Sequence, residues 1–441
     1  MRITLLDLKD PTHLVVDKTI AGGMGTASRY GGGVFAGLLT RLKASAIKLL
    51  PYSVAYVGAI LKQQGHQVSY AQQLEGLEAE LVVLLTAVPS LHVDQAALKT
   101  LRQRGLPTIV TGTLAGAAPE QFSDAHLVLK GEPESFFIQP DWASRLPAQP
   151  SGEVLETGFL DPLDRLPFPD WTVFPHLRSQ YAILDPLATV LPVVTSRGCP
   201  YPCGYYCPYP LGEGKAMRFR SPASVVEELT LLQQRHGVRH VKFRDPIFTV
   251  HRNRTLHLLD ALIEAKLGVR WGCETHLDRL DEPLLEKMAA AGCRLIQTGI
   301  ETTNPEALQA SKRKTATQAH QEQMLAVCRR LGIKTAIYLI MGLPEDTEVG
   351  MRSSLEYALT LPATFIQVTA CTPYPGTRFF GDVESRLLTR DWRLLDQYTP
   401  VLRSDHVTPE RLTELMGEGY RRFYLRWSWL RAGLPEALGR G

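Results

Sequence analysis

The stretch TSRGCPYPCGYYCPYP, residues 195–210, sets Cys199, Cys203 and Cys207 at even four-residue intervals among prolines and tyrosines. Side chains of this type at this spacing are candidates for both metal ligation and catalysis. A structural zinc site takes four ligands, commonly as two close pairs. Neither a fourth cysteine nor a histidine lies nearby, the closest downstream being His236. Three thiolates suit a four-iron cluster better, because they leave one iron without a protein ligand and open to a small chelating molecule. Zinc and plain structural thiols remain the alternatives. The chain holds seven cysteines, an odd number that does not suggest a disulfide framework. Cys273, Cys293, Cys328 and Cys371 stand singly in apolar or mixed segments and read as small buried hydrophobes.

The cysteine loop has to be held by regular elements on both sides. The chain has 441 residues, more than one hydrophobic core usually serves, so two domains are expected. From LPVVTSRG onward, strand-like and helix-like runs alternate: HVKFRDPIF, VRWGCETH, RLIQTGIE, KTAIYLIMGLP and TFIQVTACTPYPGT supply five further strand candidates. Six such units predict a partial (β/α)6 barrel over 189–384, with its active loops at the C-terminal strand ends. Upstream, RITLLDL, HQVSYA, AELVVLLTA, PTIVTG and AHLVLKG alternate with amphipathic runs, predicting a Rossmann-like open parallel sheet over 1–140. The fold class is therefore α/β. Residues 141–188, rich in Pro and Asp, read as a linker, and 385–441 as a helical tail. That tail joins Arg421, Arg422, Arg426 and Arg431 with aromatic residues, either as a packed helix with snorkelling arginines or as a surface for peripheral membrane contact.

A formal net charge of +3 with 21% charged residues and no long run of one sign gives no reason to expect nucleic acid as a partner. MRITLLDL runs directly into Asp7 and Asp10, so no leader peptide is expected. Apolar stretches such as YAILDPLATVLPVV are broken by Asp185, Pro186 and Pro192, short of the roughly 18 to 20 residues that cross a bilayer. A soluble cytoplasmic protein is expected.

Over about residues 190–380 the sequence resembles the radical S-adenosylmethionine (SAM) superfamily. Arg197, Gly198 and Cys199 followed by proline match its RGCP opening, and Tyr206 fills the aromatic position before the last cysteine. The usual spacing is Cys-x3-Cys-x2-Cys; here the second gap is GYY, which leaves the loop geometry open. The resemblance implies a [4Fe-4S] cluster on Cys199, Cys203 and Cys207, with SAM on the remaining iron. It also implies SAM contacts at successive strand ends: Asp245, then Glu274 and Thr275, then Glu301, then Gly342 and Leu343, and finally Tyr374 and Pro375.

Upstream, AGGMGTAS, PYSVAYVGAILKQQGHQV, PTIVTGTLAG and VLKGEPE resemble the cobalamin-binding domain of the cobalamin-dependent branch of that superfamily. GGMGTAS could serve a dinucleotide, but it sits well past the first strand and lacks the third glycine. The resemblance implies cobalamin contacts at Gly22 and Gly23, at Thr86 to Ser90, and at Thr111 and Gly112. Cobalamin proteins with a histidine lower ligand carry Asp-x-His-x-x-Gly after the first strand. Here the loop reads DLKDPTHLVVDK, so cobalamin is expected without a histidine beneath the metal, and His13 as an ordinary loop residue.

Together these resemblances imply a methyltransferase acting on an unactivated carbon of a small-molecule or lipid-like substrate, through a 5'-deoxyadenosyl radical and methylcobalamin. An electron donor such as flavodoxin or ferredoxin would be its partner. The alternatives are a radical SAM enzyme using cobalamin for ring formation, coupling or rearrangement, and a non-catalytic cobalamin and iron–sulfur sensor or electron carrier. A methylthiotransferase would bring cluster cysteines in the first domain, and none precedes Cys199.

Overall fold

The structure is a computed structural model. It describes residues 1–12, 16–27, 30 and 34–437, apart from the side chains at 43 and 45; His13 lies outside the described residues.

Six strands, β1 (Arg2–Leu6), β2 (Gln67–Ala71), β3 (Leu81–Leu85), β4 (Thr108–Thr111), β5 (Leu127–Gly131) and β6 (Glu153–Gly158), form one sheet in the order β2-β1-β3-β4-β5-β6. Every pairing is parallel. Side chains alternate across a strand, and the sequence supplies apolar residues at both parities. Ile3, Leu5, Leu81, Val83, Ile109 and Leu127 enter one core, and Leu6, Val82, Leu84, Val110 and Val128 another. Both faces are buried, as a parallel sheet requires. The segment expected as a linker contributes β6 at the sheet edge. Its sequence EVLETG is short, charged and largely exposed, so it carries no periodic apolar signal.

The second sheet holds six parallel strands, β7 (Asp185–Val193), β8 (His240–Phe243), β9 (Arg270–Glu274), β10 (Cys293–Glu301), β11 (Lys334–Met341) and β12 (Phe365–Ala370), in sequential order. Crossover helices link each strand to the next, giving the curled partial barrel that the alternation predicts. The first of them, Pro222–His236, shows the local logic: Ser221 accepts a hydrogen bond from the Ser224 amide at its N-cap, and Gly237 takes the left-handed position after its end. Beyond β7 the sheet continues antiparallel through Gln180–Tyr181 and Ile47–Lys48, so the N-terminal chain helps to build the barrel wall.

The opposite edge is closed by the helix Pro409–Leu425. The Tyr420 hydroxyl accepts from the Val368 amide and donates to its carbonyl, both at 2.8 Å, and Tyr424 makes the equivalent pair with Ile366. The two sheets share one continuous core, which runs from Leu5 and Val83 through helix Tyr52–Gln63 to Leu191, Phe243 and Trp271. No helix among the described residues is long and apolar enough to cross a membrane.

Candidate active site

The cysteine loop leaves the C-terminal end of β7 and is pinned at once. Asp245, fully buried just past β8, accepts from the Thr195 amide at 2.8 Å and from the Thr195 and Ser196 hydroxyls at 2.5 and 2.6 Å. These bonds occupy both carboxylate oxygens, so Asp245 fixes the start of the loop and does not line the barrel cavity. Gly198 has φ +97°, and a Cβ there would stand 2.1 Å from the Ala216 carbonyl oxygen, so only glycine fits. The Cys199 amide donates to the Gly214 carbonyl, and the Cys207 amide to that of Cys203.

All three thiols are free. Burial pushes Cys199 up to about 11 and also raises Cys203 and Cys207. Only a strong electrophile such as a metal would hold all three as thiolates here. Among the described residues no three His, Cys, Asp or Glu side chains converge on a point that one ion could occupy. Three closely spaced thiols on one loop are the donor set that a four-iron cluster takes, each on a separate iron.

Cys203, Tyr206 and Cys207 line a cavity of about 320 Å3 inside the barrel mouth, together with Glu274, Glu301, Arg313 and Tyr374. The buried Arg313 guanidinium stands 3.7 Å from the Cys203 sulfur, 3.2 Å from His276 Nε2 and 3.0 Å from Glu301 Oε1. Burial opposes its charge, but Glu301, Tyr206 and Cys203 outweigh it and keep Arg313 protonated. Burial, reinforced by the same cation, pushes His276 down to about 2, so the imidazole is neutral. Glu301 takes φ +65°, uncommon for a non-glycine residue, and its carboxylate folds back over Gly299, where a Cβ would lie 1.9 Å from Oε1. Arg313 is the residue that sequence reading missed: SKRKT follows β10 as one more basic run, and nothing local marks which cation turns inward.

Burial opposes the charge of Glu274, while Lys242 at 3.3 Å and Arg244 at 3.6 Å more than offset it and hold the carboxyl below its ordinary range. Across the cavity floor Tyr181 donates to Gln297 at 2.8 Å, and Gln297 donates to Tyr338. Ile183, Ile340, Phe365 and Ile366 supply apolar wall. Thr275, Gly342, Leu343 and Pro375 do not line this cavity. Thr275 shares a hydrogen bond with Thr249, and Leu343 packs into a small core with Phe379 and Cys371. Gly342 stands against Leu412 of the C-terminal helix.

A second, smaller cavity of about 90 Å3 opens at the C-terminal ends of the first sheet and gathers Gly22, Gly23, Thr111 and Gly112. The buried Thr111 hydroxyl has no hydrogen-bond partner. Thr86 and Ser90 lie outside it: Thr86 donates to the Thr111 carbonyl, and Ser90 to Asp94. Lys18 and Thr19 line both this space and an adjoining one of about 300 Å3. Lys18 Nζ, almost fully buried, donates to the Leu85 carbonyl at 2.6 Å and to Asp94 at 3.2 Å.

Tyr209 and Arg244 line the 90 and the 320 Å3 cavities alike and so form the wall between them. The sheets are locked together here. Arg197 of the RGCP stretch pairs with Glu132 at 3.1 Å and Glu134 at 2.9 Å, both from GEPE after β5, and Arg218 grips Glu132 with two bonds at 2.8 and 2.9 Å. The backbone of Tyr209 comes so close to Gly22 that a Cβ on the glycine would meet it at 2.7 Å.

Against known proteins, residues 193–358 match the model of the Radical SAM superfamily. A protein of Pyrococcus horikoshii named as an uncharacterized methyltransferase is 29% identical over 60% of this chain and 57% of its own length. The bacteriochlorophyllide d C-12(1)-methyltransferase of Chlorobaculum tepidum is 26% identical over 59% of this chain and 56% of its own. The chain thus spans little more than half the length of these curated relatives. Among solved structures, the radical SAM methyltransferase TsrM of Kitasatospora setae, with cobalamin and a [4Fe-4S] cluster bound, aligns over 96% of this chain and 85% of its own, with a TM-score of 0.63 at 16% identity. That likeness is one of fold: a parallel sheet preceding a partial barrel. Three cysteines lie on the loop after the first barrel strand, and the span that matches the Radical SAM superfamily runs from the end of that strand through the next four.

Proposed function

We propose that the protein is a cobalamin-dependent methyltransferase of this superfamily, acting on an unactivated carbon of a small, largely apolar substrate. The observation that carries this reading is the pair of cavities on either side of Tyr209 and Arg244, one containing cluster-type cysteines and the other at the strand ends of an open parallel sheet. Ligands of open α/β sheets sit at such strand ends.

The residues fit these groups in kind. The three thiols would hold the cluster, and Arg313 would balance negative charge beside Cys203. A corrin is larger than the 90 Å3 space alone, so it would seat across the adjoining cavities that share Lys18, Thr19, Tyr209 and Arg244. The Thr111 hydroxyl and the backbone at Gly22, Gly23 and Gly112 would be its polar contacts. No histidine is among the described residues lining these spaces, and His13 lies outside the described residues. When bound, the cluster and SAM supply radical chemistry and cobalamin supplies a methyl carrier.

The chain's own part is positioning and exclusion of water. Glu301 and Arg313 offer paired charges to polar ends of SAM, the Tyr181–Gln297–Tyr338 chain offers hydrogen bonds to substrate, and the isoleucines and Phe365 keep the space dry. A cavity of about 320 Å3 suits one compact ring system or a segment of a longer apolar molecule.

The test is anaerobic reconstitution with iron, sulfide and cobalamin, followed by assay for 5'-deoxyadenosine and S-adenosylhomocysteine. Both are expected. Deoxyadenosine alone would move the protein to ring formation or coupling, and neither product with any substrate extract would refute the reading. Cys203→Ala should abolish deoxyadenosine formation while leaving cobalamin bound.

A further inference from the structure

Helix Val34–Ala46 is apolar on the wrong side as well as the right one. Phe35 and Leu39 pack toward the core and Ala36 is buried, yet Val34 is 94% and Leu38 54% exposed, one turn apart on the outer face. A helix facing water puts polar residues there. The helix begins after Tyr30 and ends just before Ile47, and both of these residues line the barrel cavity, so it lies along the cavity's wall. It packs on the C-terminal helix Pro409–Leu425, where the Tyr30 and Tyr420 rings meet edge to face at 4.5 Å.

That C-terminal element has the same anomaly. Beyond Tyr424, which also lines the cavity, Leu425 is 53%, Trp427 70%, Leu430 38% and Leu434 37% exposed. Within residues 34–48 and 421–437, the two segments that carry this apolar surface, cations prevail, while Glu356 and Glu418 beside them pair with Arg422. Arg41, Lys48, Arg421 and Arg431 are exposed, and Arg431 lies over the Trp427 ring at 5.8 Å. Residues 34–48 contain no carboxylate, and in 421–437 there is only Glu436, held by Arg329 at 3.0 Å.

We propose that this face docks on an anionic lipid bilayer, with Val34, Leu38, Trp427 and Leu430 entering the headgroup boundary and the four cations meeting lipid phosphates. Leucine and tryptophan on one side with Lys and Arg around them is the composition that lies in a bilayer interface. Charge complementarity favours lipid over a second copy of this chain, whose like-charged patch would repel it. This face flanks the cavity wall at Tyr30, Ile47 and Tyr424, and the docking itself does not rest on the methyltransferase reading.

The test uses the full, cofactor-loaded chain and is scored by co-sedimentation without turnover, so its outcome is separate from that of the activity assay. Vesicles of phosphatidylglycerol with phosphatidylcholine should carry the protein down, those of phosphatidylcholine alone far less, and binding should weaken as salt rises. L38S/W427S and R421E/R431E should each lower affinity by about tenfold or more, with melting temperatures unchanged because these side chains are exposed. No binding to anionic vesicles, or binding untouched by both double variants, overturns the proposal. So does a wild-type dimer that W427S dissociates, which would assign the surface to a second copy.

Discussion

Arg197→Met tests how the cysteine loop is tied to the first sheet. Arg197 is almost fully buried, pairs with Glu132 and Glu134, and has its guanidinium within cation–π reach of Tyr56 and Tyr52 at 5.5 and 5.9 Å. After substitution Glu132 keeps the two-pronged grip of Arg218, but Glu134, 1% exposed, loses the Arg197 cation. Breaking a buried pair from one side costs about 3–5 kcal/mol, because an uncompensated charge is left behind. Neutralising the abandoned partner in Arg197→Met/Glu134→Gln removes that charge, and the residual cost should fall to about 1–2 kcal/mol, the loss of hydrogen bonds alone. Urea unfolding of the anaerobic protein, followed by tryptophan fluorescence, measures both variants. A single variant that loses less than about 1 kcal/mol, or a double variant no better than the single, would refute the account of the loop as electrostatically anchored.

Gly198→Ala forces a Cβ to 2.1 Å from the Ala216 carbonyl at φ +97°. The loop must shift, costing about 1–3 kcal/mol and lowering the iron bound per chain after reconstitution, measured by iron and sulfide analysis. Burial raises the Glu213 carboxyl from 4.5 to about 7. The folded state therefore holds a proton that the unfolded chain has released. This group's contribution is full below pH 4.5 and is lost as pH rises through 7, by about 3 kcal/mol. Urea midpoints across this window should fall for the wild type relative to Glu213→Gln; parallel curves would show that Glu213 is ionised throughout.

Much of this was legible in the chain because the signals are local. Alternating strand and helix runs predict both parallel sheets, and three cysteines four residues apart mark the candidate site without any coordinates. β6 was not legible, since an exposed edge strand of charged residues lacks the apolar period that marks a strand. The strand ends divide by what meets them in space. Glu274, Glu301 and Tyr374 face the barrel cavity, while Asp245 is consumed by three hydrogen bonds to the cysteine loop and Thr275 by Thr249.

What the sequence by itself determined is residue type and order: the cluster-type thiols, the glycines at turns, and the crossover pattern that sets them at C-terminal strand ends. Only the tertiary structure decided which charges are buried together. Arg313 reaches Cys203 across 110 positions and Arg197 reaches Glu134 across 63. A cation on a polar run has no periodicity to show whether it turns outward to water or inward to a carboxylate, because that choice depends on the low-dielectric space that two distant segments enclose. The wall of Tyr209 and Arg244 between the two cavities belongs to the same category, since it exists only once the first sheet has been laid against the barrel.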